Sequence, residues 1–346
     1  MCIRDRVCTC YYDDFPTNST EPSAAILTKS MTAVLNLLGW DHAQVGKKAV
    51  DFASDFAALG VHVCLDELHE SSFVLENKES RIKKLCEMLD EISQRGSISR
   101  GEAAEIQGHL NFASAFFVTK ALRFLLGSFD RLSNSPGEVQ SKKLRTLCKT
   151  ASNLLRSMPP RRFEAKGMEA THLLFSDGAW EQSRASAGFV FVNGKTGEGI
   201  VTQEHVPDRL VKLWTKEVGS QLICQIEFFA FLAARVFIAD QIRNQKLIAW
   251  IDNEAARATL VKGSSSSNTM KAMARVIQAV DLVNPSLIWF ERVASHSNPA
   301  DLPSRGQPER AARELGLNCI DEVHVSEVLV RAIEAATLNP EDEVML

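Results

Sequence analysis

The sequence predicts an α/β protein. A mixed sheet flanked by helices is expected over residues 161–310, preceded by a helical region and by a shorter strand-bearing piece. Three observations predict this. Residues 171–305 alternate apolar strand-like runs with helical ones. Residues 76–157 carry apolar side chains at helical spacing. Residues 61–66 set Val61, Val63 and Leu65 against His62, Cys64 and Asp66, the alternation of a half-buried strand.

The length of 346 residues fits two or three domains. With 45% hydrophobic and 24% charged residues, each can bury an ordinary core. A net charge of −4 predicts no strong nonspecific pull on nucleic acid or membrane. The average hides a gradient: Lys142–Arg162 holds seven basic residues and no acid, whereas Asp321–Glu343 holds seven acids and one arginine. Eight cysteines without a CxxC pair read as reduced thiols of an intracellular protein, cytoplasmic or nuclear. No apolar run approaches the ~18 residues of a membrane span, and the N-terminus lacks a signal-peptide core.

From the N-terminus, Met-Cys-Ile-Arg-Asp-Arg resembles a translated sequencing adapter, which places the native entry near Val7; a natural short N-terminus is the alternative. Tyr11-Tyr12-Asp13-Asp14 follows. Adjacent carboxylates repel and call for a cation. Residues 7–70 otherwise alternate short apolar runs with turns. Arg81–Ile92 has helical periodicity, and Ser99 stands three residues before Glu102 as a helix cap. NFASAFF (111–117) reads as core rather than as a base-stacking platform. Lys142, Lys143, Arg145, Lys149, Arg161 and Arg162 form the basic stretch, read equally as phosphate contacts or as a solvated face and linker. Met158-Pro-Pro is a break.

Beyond it, THLLFSDGAW reads as a strand ending at Asp177. SAGFVFVNGKTGEGIVT reads as a hairpin turning at Asn193-Gly194. Gln221 to about Arg243 reads as one helix, with Glu227 set among Leu222, Ile223, Ile226, Phe228 and Phe229, a costly place for an unpaired carboxylate. KLIAWIDNEAA is a strand ending at Asp252. SLIWFERVAS is a further strand, and SHSNPADLPSR presents Asp301 at a helix start. After about residue 310 a helical segment sets Val325, Val328, Leu329 and Ala332 on one face, followed by an acidic tail; the segment either packs on the sheet or meets another piece of the longer protein. Each acid has a plain alternative: a turn residue (Asp177), helix caps (Asp252, Asp301) or a partly exposed helix position (Glu227). Four in these contexts point instead to convergence at strand ends, where sites in open α/β sheets gather.

FSDGAW, QIEFFA, WIDNEAA and NPADLPSR together resemble the type-1 ribonuclease H domain of retroelement polyproteins, over about 135 residues. The resemblance implies an RNase H-like mixed five-stranded sheet. It places the family's catalytic, metal-binding acids on Asp177, Glu227, Asp252 and Asp301. It implies hydrolysis of the RNA strand of an RNA–DNA hybrid with two Mg²⁺ ions, Mn²⁺ being able to substitute. Hard oxygen ligands suit Mg²⁺, two ions roughly 3.5–4 Å apart activate water and stabilise the leaving oxygen, and telling RNA from DNA needs the 2′-OH. His296, only five residues before Asp301, departs from the family's loop histidine and is either auxiliary to catalysis or a surface residue; His172 reads as structural.

Tyr11–Asp14 matches the YxDD motif of reverse transcriptases, which implies metal binding by Asp13 and Asp14. FAALGV (56–61) resembles the element of the palm that holds the primer, and the following helices, including GHLNFA (108–113), resemble a thumb. The expected order is a partial palm (1–70), thumb and connection (71–160), RNase H-like domain (161–310) and acidic tail (311–346), as in a retrotransposon reverse transcriptase. An earlier palm acid and the fingers are missing, so no polymerase (transferase) activity is expected of this chain. Two other readings stay open: a catalytically inactive nucleic-acid-binding remnant, and an RNase H-like exonuclease or integrase. Against the latter, Asp177 lacks the D-x-E spacing of exonucleases. Expected partners are the hybrid and other parts of the polyprotein, with no membrane.

Overall fold

The computed structural model describes residues 7–8, 17–44, 52–117, 122–140, 142–164, 171–181, 184–320 and 324–338. The chain forms two compact units, Met1–Lys78 with Arg162–Ala165, and Glu79–Arg161 with Lys166–Leu346.

In the first unit, β1 (Val7–Cys8) pairs antiparallel with β2 (Thr17–Asn18). Asp13 and Asp14 lie outside the described residues. Helix α1 (Glu21–Leu37) starts with Pro22 in its first turn, where a missing N–H costs little. It buries only Leu27 and Leu35. The sequence reading, which expected turns and short runs there, did not foresee it. Strands β3 (Asp55–Ala58) and β4 (Val61–Cys64) form a hairpin through Leu59 and Gly60. Both turn residues have positive φ, 49° and 80°, as a tight two-residue connection requires. β5 (Ser72–Asn77) adds antiparallel to β4. His62 bridges the three strands, its ring nitrogens 2.5 Å from Asp55 and 2.6 Å from Glu76. The bond to Asp55 chiefly raises its pKa. Because β5 belongs to this sheet, the helical region begins at Glu79 rather than near residue 71.

The second unit opens with α2 (Glu79–Arg95), β6 (Ser97–Ile98), α3 (Arg100–Ser114), α4 (Arg123–Ser133), β7 (Val139–Gln140) and α5 (Lys142–Ser157). The Ser99–Glu102 pair is a complete capping box. Arg95 and Ser99 hold the Glu102 carboxyl down at about 2. Leu85, Leu89, Ile106, Leu110, Phe129 and Cys148 fill this bundle. Of NFASAFF, Ala113 and Phe117 lie in that core, whereas Phe112 is exposed beneath the Arg81 guanidinium, 4.1 Å from its centroid. Strand β8 (Arg161–Glu164) then takes its place beside β5 in the first sheet.

The main sheet follows. Strands β9 (His172–Glu181), β10 (Arg184–Val192) and β11 (Gly199–His205) run antiparallel. After α6 (Asp208–Val218) and α7 (Ile223–Phe237), β12 (Lys246–Ile251) pairs parallel with β9. After α8 (Glu254–Lys262) and α9 (Asn268–Val283), β13 (Leu287–Arg292) pairs parallel with β12. Helices α10 (Asp301–Ser304) and α11 (Pro308–Leu315) lead to the two-residue β14 (Asn318–Cys319), and α12 (Glu327–Leu338) ends the described chain. The order among the described residues is β13-β12-β9-β10-β11-β14. The five expected strands are present and β14 adds a short sixth.

Helix α7 is the core's centre. It is buried on every face from Gln225 to Arg235, packing Phe228, Phe229 and Phe231 with Trp214. Arg235, fully buried, is neutralised by Asp281 (2.9 Å) and by the Asn284 carbonyl, which tie α7 to the end of α9.

Three expectations are corrected and one open reading is decided. β9 does not end at Asp177 but runs on to Glu181, because β10 pairs with it throughout. The β10–β11 connection is a six-residue loop, closed by Asn193 N–H to the Glu198 carbonyl, with the positive φ at Gly197 and not at Gly194. α7 stops at Phe237, short of Arg243. Of the two readings left open for the segment after residue 310, the structure shows packing: Leu329, Val330, Ala332 and Ile333 of α12 join the core of the main sheet's domain, against α9 and α6. Val328, on the opposite phase, is 73% exposed. Arg209 of α6 pins the start of α12 through Glu327.

Candidate active site

Three of the four expected acids converge. Asp177 lies mid-strand on β9, opposite Gly188 of β10. Glu227 comes from α7, and Asp252 directly follows β12. Each offers a carboxylate oxygen, and these oxygens all lie within 4.8 Å of one another. A glycine makes the approach possible: a Cβ at position 178 would sit 2.7 Å from the Glu227 backbone nitrogen. The FSDGAW run therefore supplies both a carboxylate and the clearance that brings α7 to it.

The plain alternatives fall away for these three. Asp177 is in no turn. Glu227 is 6% exposed. Asp252 caps nothing, since Asn253 caps α8 by accepting the Ala256 N–H at 3.0 Å. The Asn253 amide also reaches Glu227 Oε1 and Cys224 Sγ, both at 3.4 Å. Asp301, the first residue of α10, stands outside this group of three. Its carboxylate accepts from Arg305 Nε at 2.9 Å, and Arg305 also bonds Glu181 on β9. It is near enough for its charge to help raise Asp177.

The site is electrostatically frustrated without a cation. Burial pushes Asp177 up to about 6; a bond from Ser304 opposes this, and repulsion from Asp252 and Asp301 adds to it. Burial pushes Glu227 up to about 10, reinforced by the neighbouring Asp252 carboxylate. Glu227 Oε2 and Asp252 Oδ1 are buried without a hydrogen-bond partner. An all-oxygen donor set with two orphaned carboxylate oxygens fits a hard divalent cation.

This arrangement has a measurable consequence. Carboxylates bind a cation when ionised. Glu227, raised to about 10, keeps its proton near pH 7, so an arriving cation must expel it. Affinity for a divalent cation should therefore rise with pH. Calorimetric titration in two buffers of different ionisation enthalpy should report release of about one proton near pH 7.5, and more below about pH 6, where Asp177 is also protonated. No net release at either pH would show that the trio is fully ionised before the cation arrives.

The remaining expected residues are dispersed. His296 lies in a short 3₁₀ turn, exposed, on a cleft of about 400 Å³ that Asn298, Asp301 and Glu314 also line. His172 is buried and stacks on Phe191, as a structural residue does. Lys142, Lys143, Arg145 and Lys149 are exposed on α5. Arg161 donates to the Ala115 carbonyl, and Arg162 is engaged by Glu67. The sequence reading missed Asn253, Asn298, Ser304 and Arg305, which hold the acids or their loops. Only Asn253, adjacent to Asp252, carried a local signal.

No family model matches the sequence, and no curated protein matches it. Solved structures do. A foamy viral protease–reverse transcriptase (dRH) in complex with double-stranded DNA is 13% identical, with a TM-score of 0.39, over 83% of this chain and 46% of that one. A second foamy viral protease–reverse transcriptase complex is 13% identical, with a TM-score of 0.38, over 83% and 55%. RNase H1 from the halophilic archaeon Halobacterium salinarum NRC-1 is 17% identical, with a TM-score of 0.31, over 42% and 98%. The chain thus spans about half the length of the foamy viral chains. Asp177 sits on β9, Asp252 just past the end of the adjacent strand β12, and Glu227 on α7, which packs across β9 and β10. Among the described residues no helix is long and apolar enough to cross a membrane.

Proposed function

We propose that this chain cleaves the RNA strand of RNA–DNA hybrids as a divalent-metal-dependent endonuclease, the ribonuclease H part of a retroelement reverse transcriptase. The observation that carries the reading is the convergence of Asp177, Glu227 and Asp252, with two buried carboxylate oxygens left without partners.

Asp177, Glu227 and Asp252 would hold Mg²⁺ or Mn²⁺, with Asp301 at the rim. Two such ions, when bound, supply water activation and stabilise charge on the leaving 3′ oxygen. The chain's own contribution is positional. The paired strands β9 and β10 fix Asp177. The α7 backbone, seated against Gly178, fixes Glu227. Asn253 holds one Glu227 oxygen and leaves the other turned into the site. Arg305 holds Asp301 to the end of β9. The exposed lysines and Arg145 of α5 are proposed phosphate contacts, and His296 a proposed auxiliary to proton transfer or product release.

The test is direct. The purified chain, given end-labelled RNA–DNA hybrid and Mg²⁺, should cut only the RNA strand, and should stop on addition of chelator. Duplex RNA should remain intact, because discrimination requires one strand with a 2′-OH and one without. Binding of metal and hybrid with no cleavage would instead establish an inactive nucleic-acid-binding remnant.

A further inference from the structure

Ser304 is fully buried and lies 127 positions from Asp177 in sequence, yet its hydroxyl sits 2.5 Å from Asp177 Oδ2. The Ser304 hydroxyl also lies 2.9 Å from the Asp301 carbonyl oxygen. A hydroxyl has one proton to give, and the shorter, charge-assisted contact takes it. Ser304 is itself held. Its N–H bonds the Ala300 carbonyl, and its carbonyl accepts the Ser186 hydroxyl at 2.5 Å. Asn298 acts beside it, donating to the Ser176 carbonyl at 3.1 Å while its side-chain oxygen accepts the Ala300 N–H. Consecutive residues of β9, Ser176 and Asp177, are thus each gripped from the segment that carries Asp301.

We infer that Ser304 is a positioning residue for the metal centre: it occupies one oxygen of Asp177, directs the other at the cation, and locks Asp301 into register with the buried acids. The inference rests on the proposed function for its context but concerns metal binding itself. A carboxylate free to rotate can present either oxygen, or both, to a cation. With Oδ2 committed to Ser304, one oxygen remains, and its direction is set by the backbone of α10. Hydrogen-bond partners of metal ligands commonly contribute 10–100-fold in metal affinity.

The experiment is a Mn²⁺ titration of the full chain, followed by electron paramagnetic resonance of the free ion, on wild type, Ser304→Ala, Ser304→Cys and Ser186→Ala. Ser304→Ala should weaken Mn²⁺ binding about tenfold and raise by a similar factor the metal concentration for half-maximal hybrid cleavage. The loss should be recovered at high metal. Ser304→Cys keeps a donor at this position, though a weaker and bulkier one, and should fall between, so a folding failure of the alanine variant leaves the test standing. Ser186→Ala keeps the Ser304 hydroxyl but loosens the backbone that carries it, and should weaken Mn²⁺ binding less than Ser304→Ala does. Mn²⁺ affinity within twofold of wild type in the folded Ser304 variants overturns the inference, whatever their melting temperatures. Wild-type chain that binds Mn²⁺ normally but cuts no hybrid would defeat the proposed function and leave this inference intact.

Discussion

Asp252→Asn is expected to lower hybrid cleavage by at least about a thousandfold, equivalent to about 4 kcal/mol of transition-state stabilisation, while the protein remains folded. The substitution keeps size and shape and removes the charge that a cation needs. Asp252 lies at the end of β12, only partly buried, and caps no helix, so the fold asks little of it. Its charge instead burdens the site: it raises both Glu227 and Asp177. The sign follows from Asp177. Its folded value of about 6 lies above its ordinary 3.8. Burying it therefore costs nothing where both states are protonated, below about pH 4, and the metal-free protein loses stability as pH rises through the folded value. Removing the Asp252 charge lessens that loss. In chelator near pH 7 the variant should melt at or above the wild-type temperature; with Mg²⁺ the order should reverse, because only the wild type gains from binding. Near-wild-type cleavage by Asp252→Asn would refute the metal assignment. A fall in stability matched by a proportional fall in activity would mark a structural acid instead.

What the sequence disclosed and what it hid divide by range. Asp177 and Glu227 were legible because each sits inside an apolar run of its own element, where a carboxylate costs several kcal/mol unless paired, and Asp252 because it ends such a run. The strands were legible for the same reason, as uninterrupted apolar runs. Asp301 was read as an equal fourth, but a local pattern cannot show that Arg305, one turn later, would engage its carboxylate. Helix α1 was missed because a helix that buries only Leu27 and Leu35 has little periodicity to read. The packing of the segment after residue 310 was left open for a different reason. The apolar face of α12 was visible, but its partners on α9 and α6 lie tens of residues upstream. Ser304 and Asn298 gave no signal, since a serine and an asparagine in a polar loop look the same whether they face solvent or a buried strand.

Gly188→Ala should be the most damaging small substitution at the site. A Cβ at position 188 would stand 2.3 Å from the Ser304 nitrogen, 2.7 Å from the Pro303 carbonyl carbon and 2.9 Å from the Ser304 Cα. All three are backbone atoms, so no side chain can swing aside. Either β10 or α10 must move by about 1 Å to reach ordinary van der Waals distance. The glycine backbone itself is ordinary β-strand, so the penalty is steric and not conformational. Overpacking of this kind costs about 1–3 kcal/mol. The displacement then propagates along defined bonds: Ser304 leaves Asp177, the Ser186 hydroxyl loses the Ser304 carbonyl, and Asp301 shifts with its helix. A displacement of about 1 Å at positioned groups commonly costs about a hundredfold in rate. Cleavage per folded molecule should therefore fall about a hundredfold, and melting temperature should fall as well. Gly197, in the β10–β11 loop, has open space where a Cβ would go but a φ of +74°. Gly197→Ala should thus lose stability through backbone strain while cleavage per folded molecule stays at the wild-type rate. The pair separates the two roles of glycine in this domain: if Gly188→Ala also retained wild-type cleavage per folded molecule, α10 would not be holding the acids in register.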